Sequence, residues 1–194
     1  MDDKDQMRRA LAAQRNAHHK AHGEVEAQGL AEFVSSNADK QLCAISDKII
    51  AAYLPMGGEL DPRPLMQALR KNGNSICLPV CINEDAPLVF RRYRQNDALL
   101  PDDMDIAAPR ATAQQVTHDI VLLPLLAFDG QGHRLGRGGG FYDRTLATLR
   151  KRAACRFIGL AFDMQMVDKC PIAPHDEALH GVATPTQWYE FDRK

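Results

Sequence analysis

Strands alternating with helices predict an α/β fold: a three-layer α/β/α, Rossmann-like arrangement with a mostly parallel sheet and added N-terminal helices. Apolar runs separated by helical segments carry this reading. KIIAAYLP, SICLPV, IVLLPLLAF and RFIGLAF each read as a strand. Helix boundaries fall between them, and no repeat or low-complexity segment interrupts the pattern. At 194 residues and 45% hydrophobic content the chain suffices for one sizeable core, so a single domain over 1–194 is expected.

From Lys4 to about His22 the pattern is basic and helical, with Met7 and Leu11 spaced for one face. Gly23 is expected to end this helix, and a second from Glu24 to Ser35 to bury Val25, Leu30, Phe33 and Val34. The first strand is expected over Lys48–Pro55. Pro62 or Pro64 then opens a helix through Leu65, Leu69 and Arg70, which Asn72–Gly73 closes. SICLPV is the next strand, and LVFRRYR alternates as a half-exposed strand does. Residues 96–117, rich in Asp and Pro, read as an irregular excursion. After IVLLPLLAF come a glycine-rich loop, a helix over DRTLATLRKR and the strand RFIGLAF. The tail reads as loop with a short strand near Val182.

Bulk properties remove several function classes. A formal net charge of −1 argues against a general nucleic-acid binder. No run reaches the roughly 18 to 20 apolar residues of a membrane span, and MDDKDQMRRALAAQ lacks the apolar centre of a secretory signal. Cys43, Cys77, Cys81, Cys155 and Cys170 are odd in number and scattered, so reduced thiols in the cytoplasm are expected rather than disulfides or zinc. His18 and His22 stand one turn apart, with no acid or thiol assigned to complete a metal site; a solvated surface is expected.

The chemistry concentrates in FDGQGHRLGRGGGFYDR, residues 128–144. Glycine is costly to order, so this strand-to-helix turn needs its bare backbone. Backbone N–H groups at a helix start carry partial positive charge and receive anions. Gly136, Gly138, Gly139 and Gly140 would let a phosphate approach; Arg134 and Arg137 add bidentate donors. Asp143 is placed for the magnesium of a nucleotide. Neither the Walker spacing nor GxGxxG fits. A tight turn with arginines facing water stays open, and the pattern reaches phosphate without naming a reaction.

LLPLLAFDGQGHRLGRGGGFYDR strongly resembles the hallmark segment of the 5-formyltetrahydrofolate cyclo-ligase family, also called 5,10-methenyltetrahydrofolate synthetases. The likeness extends to YLPMGGELDPRPLMQALRKNG, LVFRRY, DMDIAAP, IGLAFDMQMV and PHDEALHGVATP, and loosens over the N-terminal helices. It implies that ATP and Mg²⁺ drive cyclisation of 5-formyltetrahydrofolate, polyglutamylated or not, to 5,10-methenyltetrahydrofolate, through a phosphorylated formyl group. A cytoplasmic monomer with no nucleic-acid or membrane partner is expected.

Carried over by residue, the resemblance places the ATP loop on Arg134, Leu135, Gly136, Arg137, Gly138, Gly139, Gly140, Phe141 and Tyr142, with Lys4 and Arg8 reaching the phosphates from residues 1–37. Arg137 and Tyr142 would act in catalysis. Leu54, Met56 and Glu59 would hold the pterin, sharing Arg137, Gly138, Gly139, Gly140 and Phe141 with the nucleotide. Asp143 and Asp176 would hold the metal, and Asp129 would orient the loop. Some members carry a lysine where Gly139 stands and a tyrosine at Phe141, so the phosphate-binding role of that lysine does not transfer. A non-catalytic folate- or nucleotide-binding relative, and a sugar-phosphate enzyme of the same class, are the rival readings.

Overall fold

The computed structural model describes residues 3–36, 42, 45–150 and 155–191. Cys43, Lys151 and Arg152 lie outside the described residues. The chain begins with α1 (Asp3–Ser36), one continuous helix of 34 residues rather than two. Glycine inside a helix costs only about 1 kcal/mol against alanine. Burial of Ala27, Leu30, Ala31 and Val34 in the core outweighs that cost, so the helix runs through Gly23. Those four residues fix the helical phase and turn Val25 outward, 77% exposed, against the expectation of burial. His18 is likewise not a purely solvated residue: its Nε2 lies 2.9 Å from Glu26 Oε1, and its ring meets the edge of Phe162.

The chain continues through β1 (Ile49–Ala51), α2 (Arg63–Lys71), β2 (Ser75–Val80), β3 (Val89–Tyr93), β4 (Leu99–Pro101), β5 (Ala107–Pro109), β6 (Ile120–Pro124), β7 (Ala127–Phe128), β8 (Arg134–Leu135), α3 (Phe141–Leu149), β9 (Arg156–Leu160), β10 (Gly181–Ala183) and β11 (Trp188–Glu190). Seven strands form one sheet in the order β11-β10-β9-β6-β1-β2-β3. Its interior pairs are parallel, with Ile50 beside both Ile76 and Ile120, and both edge pairs are antiparallel. α2 begins after Pro62 and stops at Asn72, as its boundary residues require.

Side-chain alternation divides the core. Ile50, Ile76, Leu122 and Ile158 face Leu65 and Leu69 of α2 and Leu30 of α1. Ala51, Cys77, Val121 and Phe157 face Leu146 and Leu149 of α3. Helices therefore cover both faces, which produces the three layers. Local expectations change as well: IVLLPLLAF, expected as one strand, divides into β6 of the main sheet and β7 paired with β8. The first strand leaves the sheet after Ala51, before YLP. Residues 96–117 contain the β4–β5 hairpin, and the tail adds β11 at an edge. Three-residue antiparallel strands carry too little periodicity to stand out in sequence.

The strand order positions the site. From β1 the chain crosses through α2 to β2 on one side, and from β6 through α3 to β9 on the other. Connections diverging from adjacent parallel strands open a crevice at their carboxyl ends. The segment after β1 enters that crevice and is held against α1: Gly58 N–H donates to Asn16 Oδ1 at 3.1 Å. A Cβ on Gly58 would stand 2.7 Å from the Asn16 Cα, which is backbone and cannot swing away. Gly58→Ala is expected to lower stability by about 2 kcal/mol, the usual scale of overpacking, measured by urea unfolding.

Candidate active site

A cavity of about 420 Å³ lies at this crevice, within the range of small-molecule sites. The fold brings to its wall every binding, catalytic and metal residue expected from the sequence. Leu54, Met56 and Glu59 come from the segment after β1, and the loop from Arg134 to Tyr142 lies opposite. Asp143 opens α3, Asp176 comes from the tail, and Lys4 and Arg8 come from the first turns of α1.

The glycine loop is supported from below by Asp129, whose carboxylate is buried. Its Oδ1 accepts from the N–H groups of Gln131 and His133 at 2.9 and 3.0 Å. Its Oδ2 accepts from Cys170 N–H at 3.0 Å and lies 3.2 Å from His133 Nδ1. Burial pushes this carboxyl up, but those donors together bring it below its ordinary value of 3.8. β7 and β8, which the Asp129–His133 turn joins, deliver Arg134 to the loop.

Arg134 is buried and donates from Nη1 and Nη2 to Asp143 Oδ1 at 2.9 and 2.7 Å, clamping the two ends of the loop together. Between them the backbone turns through Gly138 (φ 106°) and Gly140 (φ 66°), in a region other residues rarely adopt. Gly140 is the N-cap of α3, and no side chain caps that terminus. The first N–H groups of α3 therefore lack intrahelical acceptors. Arg8 lies over the loop, its Nε donating to Gly136 carbonyl at 3.3 Å, and Lys4 pairs with Asp176 at 2.8 Å. Lys4 and Arg8 are one turn apart on α1 and reach the cavity together.

Glu59 sits between loop and core, 3% exposed. Met56 N–H donates to its Oε2 at 2.9 Å, Arg137 Nη1 approaches Oε1 to 3.7 Å, and Arg15 Nη1 approaches Oε1 to 4.0 Å. Burial raises the Glu59 carboxyl above its ordinary value, while the Met56 N–H and the two guanidinium groups oppose that rise. Tyr142, half-buried at the start of α3, has its phenol pushed up by desolvation and by Glu59, so it stays a neutral donor near pH 7. Arg137 itself is exposed at the cavity mouth, its side chain 54% accessible.

Asp143 uses Oδ1 for all its bonds to described residues, including one from Glu177 N–H at 3.2 Å. Its Oδ2 has no protein donor among them. Asp176 accepts from Lys4 and from Ala173 N–H on Oδ2, while its Oδ1 makes no hydrogen bond to described residues and lies 3.9 Å from His175 Nε2. Each acid thus keeps one oxygen available, which suits magnesium held mainly by phosphate and water. Among the described residues no group of three or more His, Cys, Asp or Glu forms a self-sufficient metal site.

The sequence reading missed Arg15, Tyr53 and the β4–β5 hairpin, whose Asp102, Met104 and Ile106 complete the cavity wall. Tyr53 is buried and donates to Leu60 carbonyl at 2.7 Å, fixing the turn that carries Glu59. A signal for Arg15 was present: Lys4, Arg8, Leu11 and Arg15 follow the i, i+4, i+7, i+11 spacing of a single helix face.

Comparison with known proteins gives the family. The model of the 5-formyltetrahydrofolate cyclo-ligase family matches residues 1–185. The chain belongs to this family. It is 34% identical over 189 residues to a 5-formyltetrahydrofolate cyclo-ligase of Mycolicibacterium smegmatis, covering 94% of this chain and 93% of that one. It is 36% identical over 147 residues to the Escherichia coli (strain K12) enzyme of the same name, covering 73% and 80%. Among solved structures, the Aquifex aeolicus 5,10-methenyltetrahydrofolate synthetase shares the cyclo-ligase fold at a TM-score of 0.80, with 23% identity and coverage of 98% and 94%.

The Asp129 carboxylate adds stability above its unfolded value, near 3.8, and that contribution is lost as pH falls through the lower folded value. Asp129→Asn is expected to cost about 3 kcal/mol at pH 7 by facing an amide toward donors. The cost should shrink as pH falls below about 3.8, as melting curves across the acid range would show.

Proposed function

We propose that this protein is a 5-formyltetrahydrofolate cyclo-ligase, using Mg-ATP to close 5-formyltetrahydrofolate into 5,10-methenyltetrahydrofolate. Family membership supports the substrate pair. The observation that carries the reading is Arg137, which leaves the glycine loop and approaches the buried Glu59. One guanidinium thereby links a phosphate-receiving loop to an acid suited to the N–H groups of a pterin.

The formyl oxygen attacks the γ-phosphorus, the bond to ADP breaks, and an iminophosphate forms on N5. N10 then adds to the activated carbon and loses its proton. The carbon–oxygen bond breaks last, and phosphate leaves with the former formyl oxygen. Every step uses groups of the two substrates, so no protein nucleophile is needed. The protein supplies position and charge.

The first N–H groups of α3 and the Gly138–Gly140 backbone receive the terminal phosphoryl, and Arg137 neutralises its developing charge. Lys4 and Arg8 hold the remaining phosphates from α1. Magnesium, which Asp143 and Asp176 would hold, supplies charge neutralisation on the nucleotide. Leu54, Met56 and Phe141 enclose the pterin, Glu59 accepts from its ring N–H and amino groups, and Tyr142 donates at the reacting end.

The purified protein, given folinate and Mg-ATP, is expected to generate the near-ultraviolet absorbance of the methenyl product; its absence under conditions active for a known cyclo-ligase would refute the reading. Arg137→Ala is expected to reduce kcat roughly 10²- to 10³-fold, the scale for one charge-stabilising donor. Arg110→Ala, at an exposed position, should leave kcat unchanged.

A further inference from the structure

α1 contributes a buried cation that does not line the cavity. Arg15 is 3% exposed and donates from Nη1 to the Leu125 carbonyl at 3.0 Å, in the segment following β6. The same nitrogen stands 4.0 Å from Glu59 Oε1. A buried arginine is costly unless its charge is answered, and here the carbonyl bond alone does not answer it. Its Nε has no acceptor among the described residues, which leaves Glu59 to answer its charge.

The two cations beside Glu59 differ in freedom. The Arg137 side chain is 54% exposed, on a glycine-flanked loop, whereas that of Arg15 is 4% exposed and fixed to backbone. When Arg137 turns to a phosphoryl group, Glu59 loses its exposed partner. Without another counter-charge, a desolvated carboxylate would take up a proton and stop accepting from the pterin N–H groups. We infer that Arg15 is a positioning residue of the folate site: it is the standing counter-charge that keeps Glu59 an anion while Arg137 serves the phosphoryl transfer. This rests on the cyclo-ligase reading and adds to it a division of labour between the two arginines.

The other groups facing Glu59 do not provide that charge. The phenols of Tyr53 and Tyr142 lie near enough to respond to Glu59, and burial keeps both neutral. The Met56 N–H supplies a hydrogen bond without net charge. A purely structural role, fastening α1 to the segment after β6, is the competing explanation for Arg15. It predicts a loss of stability without a change in the titration of folate binding.

Arg15→Met separates the two. KM for folinate should rise on the order of 10- to 100-fold, as for truncating one member of a buried charge pair. kcat should change far less, and the acid limb of kcat/KM should move to higher pH by about one unit or more. Arg15→Lys should restore most of both. A loss confined to kcat, an unshifted acid limb, or no rescue by lysine in a natively melting variant would overturn the inference. If Arg15→Met does not fold, adding Glu59→Gln should restore folding by removing the unanswered charge; a double variant that stays unfolded would overturn it too. Calorimetric titration of folinate across the same pH range follows the shift without turnover. A wild-type protein that binds folinate but forms no methenyl product would thus count against the cyclo-ligase reading alone.

Discussion

A carboxylate removed from water must be matched by charge or take up a proton, and around Glu59 this requirement ties three distant parts of the chain together. Arg15 comes from α1, Glu59 from the turn after β1, and Arg137 from the loop before α3. None of these elements packs its charged group well alone. Together they place a buried cation, an anion and an exposed cation in sequence from the core to the cavity mouth. The strand order makes this meeting possible, since the divergence at β1 and β6 is where the sheet leaves room for it.

The glycine loop solves a second problem, keeping bare backbone open to an anion while preventing collapse. Asp129 holds the entry by collecting N–H groups from both its own turn and Cys170, and the Arg134–Asp143 pair ties the entry to the start of α3. With both ends fixed, the segment between them is held by few further contacts, from Arg8 to the Gly136 carbonyl, Arg144 to the Gly139 carbonyl and Arg137 to Glu59. Donors already oriented before a ligand arrives cost no reorganisation during reaction. The architecture suits chemistry whose bond changes belong to the substrates, leaving position and electrostatics to the protein.

The parts of the fold that were legible in sequence are those with strong local periodicity or punctuation. SICLPV coincides with β2, and Pro62 and Asn72 bound α2. The glycine loop was visible because its composition makes no sense as ordinary structure. Elsewhere tertiary packing decided. Gly23 lies within α1 because Ala27, Leu30 and Ala31 are buried beyond it, and Val25 faces solvent because the same residues set the phase. The β4–β5 hairpin is too short to announce itself, though it completes the cavity. Arg15 escaped because an arginine on a basic helix reads as surface, even in phase with Lys4, Arg8 and Leu11; its contacts with Leu125 and Glu59 in the fold decide its role.

The central claim is that the terminal phosphoryl of ATP moves onto the formyl oxygen within this cavity. Its most direct test is an isotope measurement, with folinate carrying ¹⁸O in the formyl group and the released phosphate analysed by mass spectrometry. The account predicts one ¹⁸O in the phosphate for each methenyl product formed. Unlabelled phosphate, with the label recovered in water, would contradict it.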